Sequence, residues 1–292
     1  IGPKTEEFQK YFSQTLKTKF STMVNSGSSA NLLAFQCLIN PYRKNRLKSG
    51  DEVLIPSVCW STSLWPIIQS GLKPKFVDVD LQSLNIDLND LKKKISRKTK
   101  AILIVHVLGN CVDMNKFMQI IKKHKLILIE DTCESLGTKY KNKFLGSFGD
   151  FSSFSFYSSH QISSGEGGMI CCKSNADHEI IKSLRAHGWS RGLKNEKKIA
   201  LANKHLDSRF IFYNSGYNLR PTDITASIGL SQFKDLNKFI KQRSINRLKI
   251  LTKFKRSKKL SKVLTFINTT REVKAHWFGI PILLSNKINR NK

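Results

Sequence analysis

The sequence predicts an α/β domain with a mainly parallel sheet and helices on both of its faces. Short apolar, β-rich runs alternate along the chain with stretches of helical periodicity. Two of the runs, Ala101 to Val107 and Leu126 to Ile129, are continuously apolar apart from His106 and show no polar alternation, as strands covered on both faces do. The pattern then shifts near Phe151, where two strand-like runs follow each other without a helix between them.

Taken in order, Phe8, Tyr11, Phe12 and Leu16 share one face of an opening helix. Val53 to Ile55 and Phe76 to Val79 read as short strands. Phe117, Ile120 and Ile121 mark a helix ahead of the Leu126 strand. This strand–helix alternation is the signature of a parallel sheet. Phe151 to Phe156 and Met169 to Cys172 are separated by a glycine-rich loop, so an antiparallel step is expected there. Beyond Pro221 a long helical stretch begins at Thr222 and carries Ile224, Ile228, Phe233, Leu236, Phe239 and Ile240. Lys241 to Lys262 is strongly basic and is expected to bridge to a second domain. The tail has strand-like pieces at Val263 to Ile267 and Phe278 to Leu284, and is too short to complete a domain. The expected division is a large domain over 1–240 and the incomplete start of a small one over 241–292.

With 292 residues, 40% of them hydrophobic and 18 of them Phe, the chain can bury a sizeable core. The formal net charge of +29 has two readings: an anionic partner, or lysines scattered over solvated faces. The lysines run along the whole chain, without aromatic-interleaved basic motifs or zinc-finger spacing, so a nucleic-acid partner is not expected. No run of apolar residues is long enough for a membrane span. The opening Ile1-Gly2-Pro3-Lys4 lacks the apolar centre of a secretory signal and also an initiator Met, and reads as the start of a fragment or a processed piece. The six cysteines form no C-x-x-C pair, which predicts buried free thiols in a reducing cytoplasm and no metal centre.

Four strings carry candidate chemistry. Asn25-Ser26-Gly27-Ser28-Ser29-Ala30-Asn31 lies between a β-like run and a helix. It is either an ordinary capped helix start or a phosphate cradle built from backbone N–H groups. Glu130-Asp131-Thr132-Cys133-Glu134-Ser135 ends an apolar strand, where the ligands of open α/β sheets sit. An Asp there either caps a helix or pairs with a protonated pyridine nitrogen. Ser152 to His160 ends a strand in hydroxyls and an imidazole, ahead of Gly165-Glu166-Gly167-Gly168. Hydroxyls suit a phosphate, and an imidazole suits proton transfer or a structural contact. Gly216-Tyr217-Asn218-Leu219-Arg220-Pro221 precedes the long helix.

In order, spacing and strand-end placement the four together resemble the sugar aminotransferases of the DegT/DnrJ/EryC/StrS group, over nearly the whole chain. The resemblance implies a fold-type-I pyridoxal 5'-phosphate (PLP) enzyme of the aspartate aminotransferase-like class, here without its opening segment and most of its small C-terminal domain. It implies that Gly27, Ser28 and Ser155 contact the cofactor phosphate and that Asp131 pairs with the pyridine nitrogen. Trp60 would stack on the ring, Glu134 would lie near its 3-hydroxyl, and Asn218 would reach the phosphate of the neighbouring subunit in a homodimer. His187 and Arg220 would contact substrate.

One departure sets the subclass. His160 stands where the aminotransferases of that group carry the Schiff-base lysine. An imidazole forms no such imine, so the cofactor would be held non-covalently and His160 freed to act as a base. This matches the sugar 3-dehydratases of the group, as do Cys59-Trp60-Ser61-Thr62, Arg185 to Arg191 and Trp277-Phe278-Gly279. The resemblance then implies that glutamate converts PLP to pyridoxamine phosphate. A nucleotide-linked 4-keto-6-deoxy sugar, GDP-linked by the same likeness, loses its C3 hydroxyl. An iron–sulfur cluster, which a related dehydrase branch needs, is not expected, because no cysteine follows Cys172. The rival readings are an aminotransferase borrowing another lysine, such as Lys173, and a non-catalytic PLP-binding homologue.

Overall fold

In the computed structural model, which describes residues 1–285 and 288, the chain builds a seven-stranded sheet between two helical layers. Helix α1 (Pro3–Leu16) leads into β1 (Phe20–Val24), α2 (Gly27–Ile39), β2 (Glu52–Pro56), α3 (Ser61–Gln69) and β3 (Lys73–Val77). Then come α4 (Leu88–Lys94), β4 (Thr99–Val105), α5 (Met114–His124) and β5 (Ile127–Asp131). A small hairpin, β6 (Lys139–Tyr140) with β7 (Lys143–Phe144), precedes β8 (Phe151–Ser155) and β9 (Gly168–Cys172). Helices α6 (Asn175–Arg185), α7 (Glu196–Ala202), α8 (Asp223–Lys234), α9 (Leu236–Lys255) and α10 (Lys258–Ser261) follow. Three short strands close the described chain: β10 (Leu264–Phe266), β11 (Val273–Lys274) and β12 (Ile282–Leu284).

The sheet order is β1-β9-β8-β5-β4-β2-β3. Neighbours from β3 to β8 pair in parallel, and β9 runs antiparallel to both β8 and β1. The antiparallel step expected between the Phe151 and Met169 runs is therefore present. The unbroken apolar runs also have their reason. In β4, Ala101, Leu103 and Val105 pack with Leu33 and Phe35 of α2 on one face. Ile102 and Ile104 pack with Phe117 and Ile121 of α5 on the other. Both faces are core, so neither set is polar.

The second face is completed by α1 and α8 beneath β1, β9 and β8. Phe8, Phe12 and Leu16 form the buried stripe, and Phe12 stacks on Phe233 with ring centroids 4.9 Å apart. Truncating a buried Phe of this kind costs about 3–5 kcal/mol. Tyr11 shares the stripe but lies at its edge, partly exposed.

The expected long helix from Thr222 is broken into α8 and α9 at Asp235, whose backbone sits at φ −90° and ψ 4°. Its N–H bonds back to Gln232 and Phe233, closing α8, while Leu236 stays in the α1–α8 core. Past that point α9 buries little of itself. The strand expected over Phe278 to Leu284 is confined to Ile282–Leu284, which pairs with β10. Phe278 belongs elsewhere: β11 pairs with β6, His276 is buried, and the Phe278 N–H bonds to the Leu108 carbonyl at 2.9 Å. The tail is thus pinned against the loop after β4.

Candidate active site

The parallel strands end on one edge of the sheet, and register places Val105 beside Asp131 and Asp131 beside Ser153. Beyond that edge lies a cavity of about 620 Å³. Gly27, Ser28, Trp60, Asp131, Glu134, Ser155 and His160 all line it. Asn218, Arg220 and His187 do not; His187 follows α6, and Asn218 and Arg220 are exposed on the segment that bridges to it between Ala186 and Asn218.

The start of α2 forms one wall. Ser26 caps the helix by accepting the Ser29 N–H at 3.1 Å. The amides of Gly27 and Ser28 are then left as first-turn donors without an intrahelical partner, at the positive end of the helix dipole. Gly27 has to be glycine: a Cβ there would lie 2.8 Å from both Ser155 Cβ and Cys133 Sγ. That close approach sets Ser155 against the start of the helix, on the wall of the same cavity. The Ser28 hydroxyl donates to Thr62 Oγ1 at 2.9 Å. Together these groups are a ready site for an oxyanion such as phosphate.

Asp131 is buried at the end of β5 and fixed on both oxygens. Oδ2 accepts from Ser63 Oγ at 2.7 Å and Asn31 Nδ2 at 2.8 Å, and Oδ1 accepts from the Cys133 N–H at 3.2 Å. Behind it the fully buried Glu130 accepts from the N–H groups of Gly146, Phe148 and Gly149 and bonds His106 Nε2 at 3.0 Å. Burial opposes that charge, but the His106 contact and the amides outweigh it and hold the carboxyl below its usual range.

His160 faces the same cavity. Its Nδ1 lies 2.7 Å from the Cys133 carbonyl oxygen. A carbonyl only accepts, so Nδ1 carries the proton and Nε2 of the neutral ring keeps its lone pair. Burial lowers its pKa, and nearby Arg243 adds to this, against the opposite pull of the Cys133 carbonyl and Asp131. The ring of Phe278 lies 5.1 Å from that of His160. Burial and Asp131 raise the pKa of Glu134, although its Oε2 accepts the Leu108 N–H at 2.8 Å. Leu108 holds a left-handed backbone, φ 52° and ψ 25°, which that bond helps to sustain. Trp60 presents an indole 73% exposed at the cavity mouth.

Four contributors escaped the sequence reading. Asn31 lies one helical turn past Gly27, a spacing that puts both on one face. Ser63 follows the quoted Cys59–Thr62 string. Leu108 carries no local signal, and Phe278 stood in the Trp277-Phe278-Gly279 string without a role of its own, because a left-handed leucine and a long-range ring contact are products of the fold.

A parallel sheet with one reversed strand, a helix-start oxyanion cradle, a strand-end carboxylate and a facing base define a fold-type-I PLP-dependent enzyme. The chain belongs to the DegT/DnrJ/EryC1/StrS aminotransferase family, whose model matches residues 1–292. It is 37% identical over 287 residues to the GDP-4-keto-6-deoxy-D-mannose 3-dehydratase of Escherichia coli O55:H7 (strain CB9615 / EPEC), covering 97% of this chain and 72% of that one. A solved GDP-4-keto-6-deoxymannose-3-dehydratase mutant with bound GDP-perosamine superposes with a TM-score of 0.91 at 37% identity, covering 100% of this chain and 75% of the other. The same enzyme with a trapped PLP-glutamate geminal diamine superposes with a TM-score of 0.90 at 37% identity, covering 99% and 73%.

The residues present fit PLP. A dianionic phosphate matches the Gly27 and Ser28 amides and the Ser155 hydroxyl, and a pyridinium matches a carboxylate already oriented by Asn31 and Ser63. Among the described residues lining the cavity there is no lysine, and His160 stands on its wall.

Proposed function

We propose that the protein is a PLP- and pyridoxamine-phosphate-dependent 3-dehydratase. Its substrate is a nucleotide-linked 4-keto-6-deoxy sugar, GDP-linked as in the relatives, and its amino donor is glutamate. The pathway is deoxysugar formation for lipopolysaccharide O-antigen. The observation that carries this reading is His160 on the cavity wall, hydrogen-bonded through Nδ1 and with no lysine beside it.

When bound, the cofactor supplies an electron sink and, in its amine form, a nucleophile for the sugar ketone. The chain supplies the rest. Asp131 would hold a proton on the pyridine nitrogen, and the helix-start amides with Ser155 would hold the phosphate. Nε2 of His160 takes up and returns a proton without being tied to the cofactor. Trp60 would offer a ring face, and Glu134 would partner a hydroxyl of the ring; both line the cavity.

The same reading carries a homodimer and a large domain ending near residue 240. It is supported by the exposed position of Asn218 outside the cavity of its own chain, where it would serve a partner's cofactor, as His187 and Arg220 would serve substrate. Among the described residues, no helix is long and apolar enough to cross a membrane. A cytoplasmic location is supported by the cysteines, all six of which are free.

The test is incubation of the PLP-loaded protein with GDP-4-keto-6-deoxymannose and glutamate. A 3-deoxy-4-keto sugar is the expected product. An amino sugar as product would favour an aminotransferase instead, and no glutamate-dependent loss of PLP absorbance would favour a binding-only homologue.

A further inference from the structure

Helix α9 opens a basic stretch that the cofactor site does not use, yet one of its side chains reaches that site. Arg243 donates from Nη1 to the Phe278 carbonyl at 3.0 Å and from Nη2 to the His160 carbonyl at 3.4 Å. One guanidinium therefore spans two backbone segments that lie more than a hundred residues apart in sequence. A rigid fork of this kind can hold two acceptors at a fixed separation, which a lysine cannot. Phe278 is fixed from its other side by its N–H bond to the Leu108 carbonyl, and Leu108 is fixed in turn by Glu134. The outcome is a ring placed over the imidazole, with centroids 5.1 Å apart and planes at 45°.

We propose that Arg243 and Phe278 are positioning residues for His160, a clamp through which the C-terminal part of the chain sets the orientation and solvation of the base. Neither needs to take part in bond making. Arg243 acts on two carbonyls. Phe278 shields the imidazole and limits its rotation about the bond from Nδ1 to the Cys133 carbonyl. The inference rests on the proposed function for its catalytic consequence but not for its geometry.

The groups facing His160 are few. Asp131 on β5 pulls its titration up and Arg243 on α9 pulls it down, with Cys133 offering a carbonyl and Tyr157 a ring 6.3 Å away. Glu134 and Glu166 lie on the same cavity wall. Removing Phe278 relieves burial, so the imidazole should protonate more easily. Replacing Arg243 by Met removes both the fork and a cation, which acts in the same direction. Replacing it by Lys keeps the cation and loses the fork.

The test is NMR of the cofactor-free, full-length protein, following the His160 Cε1–H resonance against pH in wild type, F278A, F278L, R243M and R243K. The expected result for F278A and R243M is a midpoint higher than that of wild type. F278L should keep most of the wild-type value, because a leucine still covers the ring. R243K should titrate near wild type but show a broadened resonance from a ring no longer held. In the PLP-loaded protein R243K should lose roughly 10- to 100-fold in kcat with KM nearly unchanged, the effect of a misplaced base. Circular dichroism checks that each variant is folded. Unchanged titration and line width in folded F278A, R243M and R243K would overturn the clamp. Variants that show the expected NMR changes, together with a wild-type protein that turns over no sugar, would overturn the function and leave the clamp standing.

Discussion

Asn31 and Asp131 stand one hundred residues apart in the chain and are joined by a 2.8 Å hydrogen bond from Nδ2 to Oδ2. Ser63 donates to the same oxygen at 2.7 Å. The carboxylate proposed for the pyridine nitrogen is thus oriented by α2 and α3 before any ligand arrives.

Preorganisation of that kind has a measurable size. A hydrogen bond to a charged group contributes about 1.5–3 kcal/mol. Asn31→Ala and Ser63→Ala should each weaken PLP binding by roughly tenfold or more, since 1.4 kcal/mol corresponds to a factor of ten. Titration of the apoprotein with PLP, followed by absorbance, measures it. Wild-type affinity in both variants would mean that Asp131 does not depend on them.

Glu130, the neighbour of Asp131, faces the opposite way and does different work. Its carboxylate gathers three backbone amides and His106 at zero exposure. Glu130→Ala leaves those donors without an acceptor, and each buried donor left unsatisfied costs about 1–3 kcal/mol. Urea unfolding should show the loss. Because the turn at Gly146–Gly149 leads directly into β8, the same change should disturb Ser155 and weaken PLP binding as well.

The chain made some of this legible and hid the rest. The alternating apolar runs specify the sheet, because a strand buried on both faces carries few polar residues, and β4 is such a strand. The glycine-rich gap between β8 and β9 specifies the antiparallel step. Asp131 was legible because it ends a recognisable strand, and His160 because it closes the string that runs on from the end of β8 at Ser155. The end of the long helix was not, since a break at Asp235 uses an ordinary bridge-region backbone with neither Gly nor Pro to mark it. Phe278 was read as strand because its apolar neighbours fit that pattern. Its place over His160 is decided by β11 pairing and by the burial of His276, contacts with residues far away in sequence. Gly188, at φ 83°, is a case in between: a Cβ would lie 1.8 Å from the Asn214 carbonyl oxygen, so the glycine in His187-Gly188-Trp189 marks a close backbone crossing.

Stability should fall with pH over a definite window. His276 and His178 are held at a pKa of about 4 by burial, against 6.5 for an ordinary histidine. Arg243 and Lys182 respectively add to the shift. A depressed histidine keeps its neutral form in the folded state while the unfolded chain takes up the proton. Stability is therefore complete above pH 6.5 and is lost as pH falls to about 4. For His276, which is 1% exposed, the full loss is about 3 kcal/mol. Chemical denaturation at pH 7 and pH 4.5 measures it. In His276→Asn, which offers a donor to the Leu136 carbonyl without titrating, the pH dependence should flatten. An unchanged slope would assign it to other groups.

The sharpest prediction concerns His160. In the full-length protein, His160→Asn should bind PLP about as well as wild type, because the Gly27 and Ser28 amides, Ser155 and Asp131 remain. It should nonetheless lose dehydration by the ~10²–10⁴-fold typical of a missing general base. His160→Lys should do the reverse: form a Schiff base with PLP, visible in its absorbance and trapped by borohydride, and lose most of its 3-deoxygenation. Wild type should show no covalent label after borohydride. Because burial depresses the His160 pKa, the free base persists below the ordinary histidine range, so activity should fall on the acid side only under pH 6.5. The measurements are turnover of GDP-4-keto-6-deoxymannose with glutamate and the PLP spectrum of each variant. Full dehydration by His160→Asn would remove His160 as the base, and with it the main support for a 3-dehydratase.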